Sequence, residues 1–242
     1  MTRTTLRFML LQIRNADDPM RQQEVDCFAQ ALCCDPLQLE PWDLLYDCPV
    51  WSAVRRCDAV FIGGSGHYSV VSDTPWMEGA LELLRQIHSE SKPTFASCWG
   101  FQAMARALGG HVVHDLSRAE IGTHTLQVTA EGLRDPLFSC RAPTFRAQMG
   151  HEDLVDRLPD GAVLLASSPL VENQAYRLAD KPIWCTQFHP ELRRAALLER
   201  VIEYPKYIEK IAGMPAEQFE TMLEDAPEIE SLLQDFVQLV LE

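Results

Sequence analysis

Residues 94–110 read TFASCWGFQAMARALGG. Pro93–Ser97 is short and apolar, as a buried strand is. Trp99–Leu108 has helical spacing and is stopped by Gly109-Gly110. One cysteine, Cys98, stands at the corner between them, with Ala96 two before it and Gly100 two after it. A strand-to-helix corner can hold its central residue in a strained conformation with the side chain exposed above the sheet. The turn is so tight that the positions two before and two after must be small. The first amides of the helix then aim at the sulfur and favour thiolate, and the Trp99 amide points to where an oxyanion would form. Taken alone, this corner fits a structural cysteine as well as it fits a nucleophile.

The same alternation of strand and helix runs on either side. Thr5–Ile13, Leu37–Leu44 and Asp58–Ile62 read as strands, and Arg21–Cys33 and Pro75–His88 as helices. Further strands are expected at Thr123–Val128, Pro143–Met149, Ala162–Ala166, Gln174–Leu178 and Ile183–Phe188. Such alternation predicts an α/β fold with a mostly parallel central sheet flanked by helices. After Leu192 the character changes. Arg193–Ile211 reads as a helix, and from Met214 onward there are eight acidic residues and no Lys or Arg. Ile229, Leu232, Leu233, Phe236, Val237, Val240 and Leu241 make a continuous apolar helix face, with Pro227 in its first turn. Packing of that face on its own domain is preferred to docking of a second subunit. The expected organisation is a domain over 1–192 and an acidic helical extension over 193–242.

Composition narrows the function. The chain of 242 residues is 47% apolar and 23% charged, ordinary for a globular protein. Its formal net charge of −14 argues against a nucleic-acid surface, which needs a positive field. No apolar run approaches the ~20 residues of a membrane helix, and no signal peptide is read at the start, so the cytoplasm is expected. The eight cysteines include no C-x-x-C pair and are expected to be mostly reduced and buried.

A thiolate needs a base. His189 lies in WCTQFHPEL, 184–192, and in extended chain residues two apart share a side. Glu191 can then orient His189, with Pro190 stiffening the link. The glycines of Gly63-Gly64-Ser65-Gly66 follow a strand and let backbone amides approach a ligand. Neither a Walker A loop nor G-x-G-x-x-G is present, so an oxyanion amide is the better functional reading there, although alone a plain tight turn would suffice. His111-x-x-His114 lacks a third ligand, and His151-Glu152-Asp153 is not H-E-x-x-H, so no metal is expected. Cys185, in an apolar strand, reads as a structural thiol.

Together these pieces resemble the class I glutamine amidotransferases. Ala96-Ser97-Cys98-Trp99-Gly100-Phe101-Gln102 matches the family's G-x-C-x-G-x-Q, His189-Pro190-Glu191 its H-P-E, and Gly63-Gly64 its G-G loop. Gly150-His151-Glu152-Asp153 looks like its S-H-x-D. The resemblance spans roughly Leu6 to Leu192. It implies a flavodoxin-like fold and a nucleophile Cys98 with His189 and Glu191. It also implies oxyanion amides at Gly64 and Trp99, and substrate contacts at Gln102, Gly150 and His151. Departures are Ala96 for the first elbow glycine, a longer Gly-rich loop without the usual proline, and Gly150 for the usual serine. The implied activity is hydrolysis of the glutamine γ-amide through a γ-glutamyl thioester, without a cofactor. Ammonia would pass to a separate synthase subunit, since about fifty residues remain after 192 and no S-G-G-x-D-S loop is present. Alternatives are a γ-glutamyl peptidase-like hydrolase and a non-catalytic binding protein, the latter opposed by the intact Cys98, His189 and Glu191. Self-association is left open.

Overall fold

The computed structural model describes residues 6–241; Thr5, the first residue of the first expected strand, lies outside them. Strand β1 (Phe8–Gln12) is buried along its whole length. It pairs in parallel with β2 (Leu39–Asp43) on one side and β3 (Ala59–Ile62) on the other. Next come β4 (Thr94–Ser97), parallel to β3, and β11 (Ile183–Thr186), parallel to β4. This five-stranded parallel half carries the α/β architecture expected from the sequence. The sheet then continues in antiparallel fashion through β10 (Ala175–Leu178), β9 (Ala162–Ser167), β6 (Glu120–Val128) and β7 (Thr144–His151), nine strands among the described residues. Outside that sheet, β5 (His111–His114) pairs with β8 (Asp153–Arg157), a strand the apolar pattern did not single out.

Side chains alternate across β1. Met9 and Leu11 face a core with α3 (Met77–Ser89) and α4 (Trp99–Ala107), built on Ala80, Leu84, Phe101 and Met104. Phe8 and Leu10 face the opposite core, with Val25, Phe28 and Leu32 of α1 (Met20–Leu32). A short α2 (Trp51–Arg56) leads into β3. The run expected as one helix from Arg193 to Ile211 is broken. Helix α5 (Arg194–Glu203) stops at Tyr204, since Pro205 lacks an amide for the next turn and disfavours helical geometry in the residue before it. The chain re-enters as α6 (Pro205–Tyr207) and a π-helical turn (Ile208–Ala212), followed by α7 (Ala216–Met222).

The last apolar face packs on its own domain, as preferred. Helix α8 (Leu232–Leu241) buries Leu232, Leu233 and Phe236 completely, and the Phe236 ring lies 5.5 to 5.9 Å from those of Phe61, Phe95 and Trp184. Pro227 is not in its first turn but in a separate 3-10 turn, Pro227–Ile229. Among the described residues no helix is long and apolar enough to cross a membrane.

Candidate active site

The strand order brings the three sequence signals together. β3 and β11 flank β4, so the chain leaving β3 at Gly63, β4 at Cys98 and β11 towards His189 converges at the carboxyl edge of the parallel half. Open α/β sheets place ligand sites at that edge.

Cys98 has φ 51° and ψ −103°, an unusual conformation for a residue with a Cβ. It is held there by its amide donating to Thr186 O at 2.8 Å and its carbonyl accepting from Gln102 N at 3.1 Å. The need for small neighbours is borne out at Gly100. A Cβ there would lie 2.7 Å from Ile62 Cγ2 and 3.0 Å from the Ile62 carbonyl oxygen. Trp99 opens α4, and its amide belongs to the first turn, where no intrahelical acceptor exists.

His189 follows β11, its amide donating to Gln148 O at 2.9 Å. Its Nδ1 lies 2.7 Å from Glu191 Oε1, which leaves Nε2 for the thiol. Both side chains are buried. Burial pulls the His189 pKa down, but the charges of the Glu191 carboxylate and the Cys98 thiolate, with hydrogen bonds to both, outweigh it and lift the value to about 9. Burial opposes ionisation of Glu191, yet His189 and Arg200 hold its pKa below the ordinary carboxylate range. The imidazolium is therefore the resting form at neutral pH, clamped by an ionised carboxylate.

The thiol sits between two compartments. A small one of about 40 Å³, room for one or two waters, is walled by Ile121, Leu192, Leu197 and Val201. A larger, polar one of about 320 Å³ is lined by Gln102, Gly150, His151, Glu152, Asp153 and Lys210 among others. Tyr204 and Tyr207, on either side of the α5 break, border both.

The sequence-predicted site residues fare differently. Gly150 borders the thiol, its carbonyl 3.6 Å from Cys98 Sγ, and a Cβ on it would meet nothing within 4 Å. Gln102 lines the large compartment, but its Nε2 is committed to Asp153 O at 2.8 Å and Gln187 Oε1 at 3.1 Å. The His151 ring is turned inward, with Nδ1 3.0 Å from Asp153 O and Nε2 3.1 Å from Glu120 Oε2. The Gly64 amide does not face open space: it donates to Glu24 Oε1 at 3.3 Å. Cys185 is fully buried and its thiol pushed up to about 12 by burial. No cluster of three potential metal ligands exists among the described residues; His114 Nδ1 instead meets Asp153 Oδ1 at 2.9 Å.

A family model described as Glutamine amidotransferase class-I matches residues 46–202. The chain belongs to the class-I glutamine amidotransferase family. It is 31% identical over 159 residues to a glutamine-hydrolyzing GMP synthase of Streptomyces avermitilis, covering 66% of this chain but 29% of that protein. It is 32% identical over 158 residues to one subunit of the glutamine-hydrolyzing GMP synthase of Sulfolobus acidocaldarius, covering 65% and 78%. Gamma-glutamyl peptidase 3 of Arabidopsis thaliana is 26% identical over 209 residues, covering 82% and 83%. The chain thus spans less than a third of the length of the Streptomyces relative and most of the other two. A solved glutamine amidotransferase from Thermotoga maritima superposes with a TM-score of 0.78 at 19% identity over 98% of each chain, which shows a shared fold.

What sequence reasoning missed is the ring of charge behind the thiol. Arg14 is buried and meets Glu24 at 3.1 Å and Asp18 at 3.4 Å. The Tyr204 hydroxyl donates to Asp18 at 2.7 Å and accepts from Arg14 at 2.7 Å. Arg200, also buried, lies 3.9 Å from both Glu191 Oε1 and Glu24 Oε1. Arg200 Nη2 and Glu191 Oε2 have no hydrogen-bond partner among the described residues. A clue was present in Arg200 at helical spacing from Leu197 and Val201, a cation on an otherwise apolar face.

Proposed function

We propose that this chain hydrolyses the γ-amide of glutamine to glutamate and ammonia, with Cys98 as nucleophile, His189 as acid and base, and Glu191 as its orienting partner. The observation that carries this reading is a thiol at a strained strand-to-helix corner, facing a polar cavity, beside a histidine fixed 2.7 Å from a buried carboxylate. The Cys98 thiolate attacks the γ-carbonyl carbon, and the oxyanion takes a hydrogen bond from the Trp99 amide. Gly64 would serve as the second donor once Glu24 releases its amide. The C–N bond breaks as His189 hands its proton to the departing nitrogen, leaving a γ-glutamyl thioester. Water, deprotonated by His189, cleaves the thioester and restores the thiol. Gly150 and the His151 backbone would hold the glutamyl group, with room beside Gly150 for its substituents, while Gln102, bonded to Asp153 O and Gln187 Oε1, braces that wall.

The same reading divides the chain into an amidotransferase domain over 1–192 and a helical extension over 193–242. It places the protein in a reducing compartment such as the cytoplasm, consistent with eight free cysteines. Transfer of ammonia to a separate synthase fits the Sulfolobus relative, which is named as one subunit of a GMP synthase. The second reading, a γ-glutamyl peptidase-like hydrolase, is favoured by the relative matched over most of both chains and by the open space at Gly150.

The test is intact-protein mass after incubation with diazo-oxo-norleucine. A single adduct on the wild type that is lost in Cys98→Ser is expected. No adduct on folded wild type would overturn the glutaminase reading.

A further inference from the structure

The chain is strongly acidic and has only four lysines: Lys92, Lys181, Lys206 and Lys210. Lys181 is spent on Ser91 Oγ at 2.9 Å, and Lys92 on the carbonyl of Cys57. The other two both line the large compartment at the thiol. They are placed there by the break after α5. Pro205 starts α6, the π-helical turn follows, and residues 206 and 210, four apart, fall on one face. Lys206 has no ion-pair or hydrogen-bond partner among the described residues. Lys210 has only a loose one, Glu152 Oε1 at 4.0 Å. Two ammonium groups thus line the compartment that the thiol opens into, one without a partner among the described residues and one held only loosely, and each can pair with an anion there although Glu152, Asp153 and Glu203 share the lining.

We propose that Lys206 and Lys210 form a carboxylate-binding subsite of the Cys98 cavity, so that the substrate is a γ-glutamyl amide held by a carboxylate of its own. This rests on the functional reading above and goes further by naming the groups that select the substrate. The carboxylate is either the α-carboxylate of the γ-glutamyl group or one on the amine half, as in a γ-glutamyl amino acid. Phosphate esters fit less well, because Glu152, Asp153 and Glu203 share the same lining and repel a doubly charged group more than a singly charged carboxylate.

Both lysines are exposed, so Lys206→Gln with Lys210→Gln is expected to fold normally. The experiment measures binding of glutamate and of γ-glutamylglycine by titration calorimetry to the full chain carrying Cys98→Ser, with and without the two lysine changes. A loss of roughly tenfold or more in affinity is expected, shrinking with added salt and restored when both lysines are replaced by arginine. Loss for both ligands assigns the α-carboxylate, and loss for γ-glutamylglycine alone assigns the amine half. Unchanged affinity, or no binding of either ligand to the chain with its lysines intact, overturns the proposal. In parallel, turnover of glutamine and γ-glutamylglycine is followed with Cys98 present. Turnover that ignores the lysines sinks this inference and leaves the hydrolase reading standing. Lysine-dependent binding without Cys98-dependent turnover does the reverse.

Discussion

At Cys98 the backbone accepts a conformation that costs on the order of 1–3 kcal/mol, and two glycines nearby define what the corner tolerates. Gly100→Ala drives a methyl group into Ile62; the expected result is a lower melting temperature and loss of thiol reactivity, measured by unfolding and by alkylation rate. Gly150→Ser meets no neighbour, so stability should stay within about 0.5 kcal/mol while KM for glutamine shifts. A destabilised Gly150→Ser protein would contradict the open space seen there. The His189 pKa of about 9 sets the pH behaviour. Because the folded value is raised, the stabilising ion pair with Glu191 is complete below about 6.5 and is lost as pH rises through about 9. The alkaline limb of the kcat/KM profile should therefore fall near 9. In Glu191→Gln that limb should move down towards 6.5, with kcat reduced roughly 10²–10⁴-fold. A limb that stays in place would remove Glu191 from the role given to it.

At the scale of elements, α5 does two things at once. It carries Arg200 to the Glu191 carboxylate, and through Tyr204 it closes the ring of Arg14, Asp18 and Glu24. Tyr204→Phe would leave two buried charged groups each short of a partner, a loss of about 1–3 kcal/mol readable by chemical denaturation. Arg200→Gln removes the cation that helps keep Glu191 ionised, so the acid limb of the pH profile should shift upward while KM changes little. The elbow, the His-Pro-Glu segment and the glycine loop were legible in the sequence because local sterics and short spacing dictate them. The alternating α/β pattern was legible for the same reason. The ring of charge was not, since Arg14, Glu24 and Arg200 come from distant segments and only the fold makes them neighbours. The split of the 193–211 helix was signalled by Pro205 but overridden by the helical spacing around it. The strand at His111–His114 was legible, but its partner β8 was not, because β8 ends in exposed charged residues and lacks a strong apolar signature.

For the whole molecule, the parallel half of the sheet is covered on one face by α8, whose Phe236 fills the space between Phe61, Phe95 and Trp184. Phe236→Ala should cost about 3–5 kcal/mol, measured by denaturant unfolding; a loss below about 1 kcal/mol would mean that α8 only rests on the surface. The strands it covers, β3, β4 and β11, are those whose ends carry Gly63, Cys98 and the approach to His189. In translation these strands leave the ribosome well before the helix that seals them. A nascent chain halted between β11 and α8 would thus present a greasy sheet face to chaperones and proteases, with the Cys98 thiol already synthesised but not yet housed.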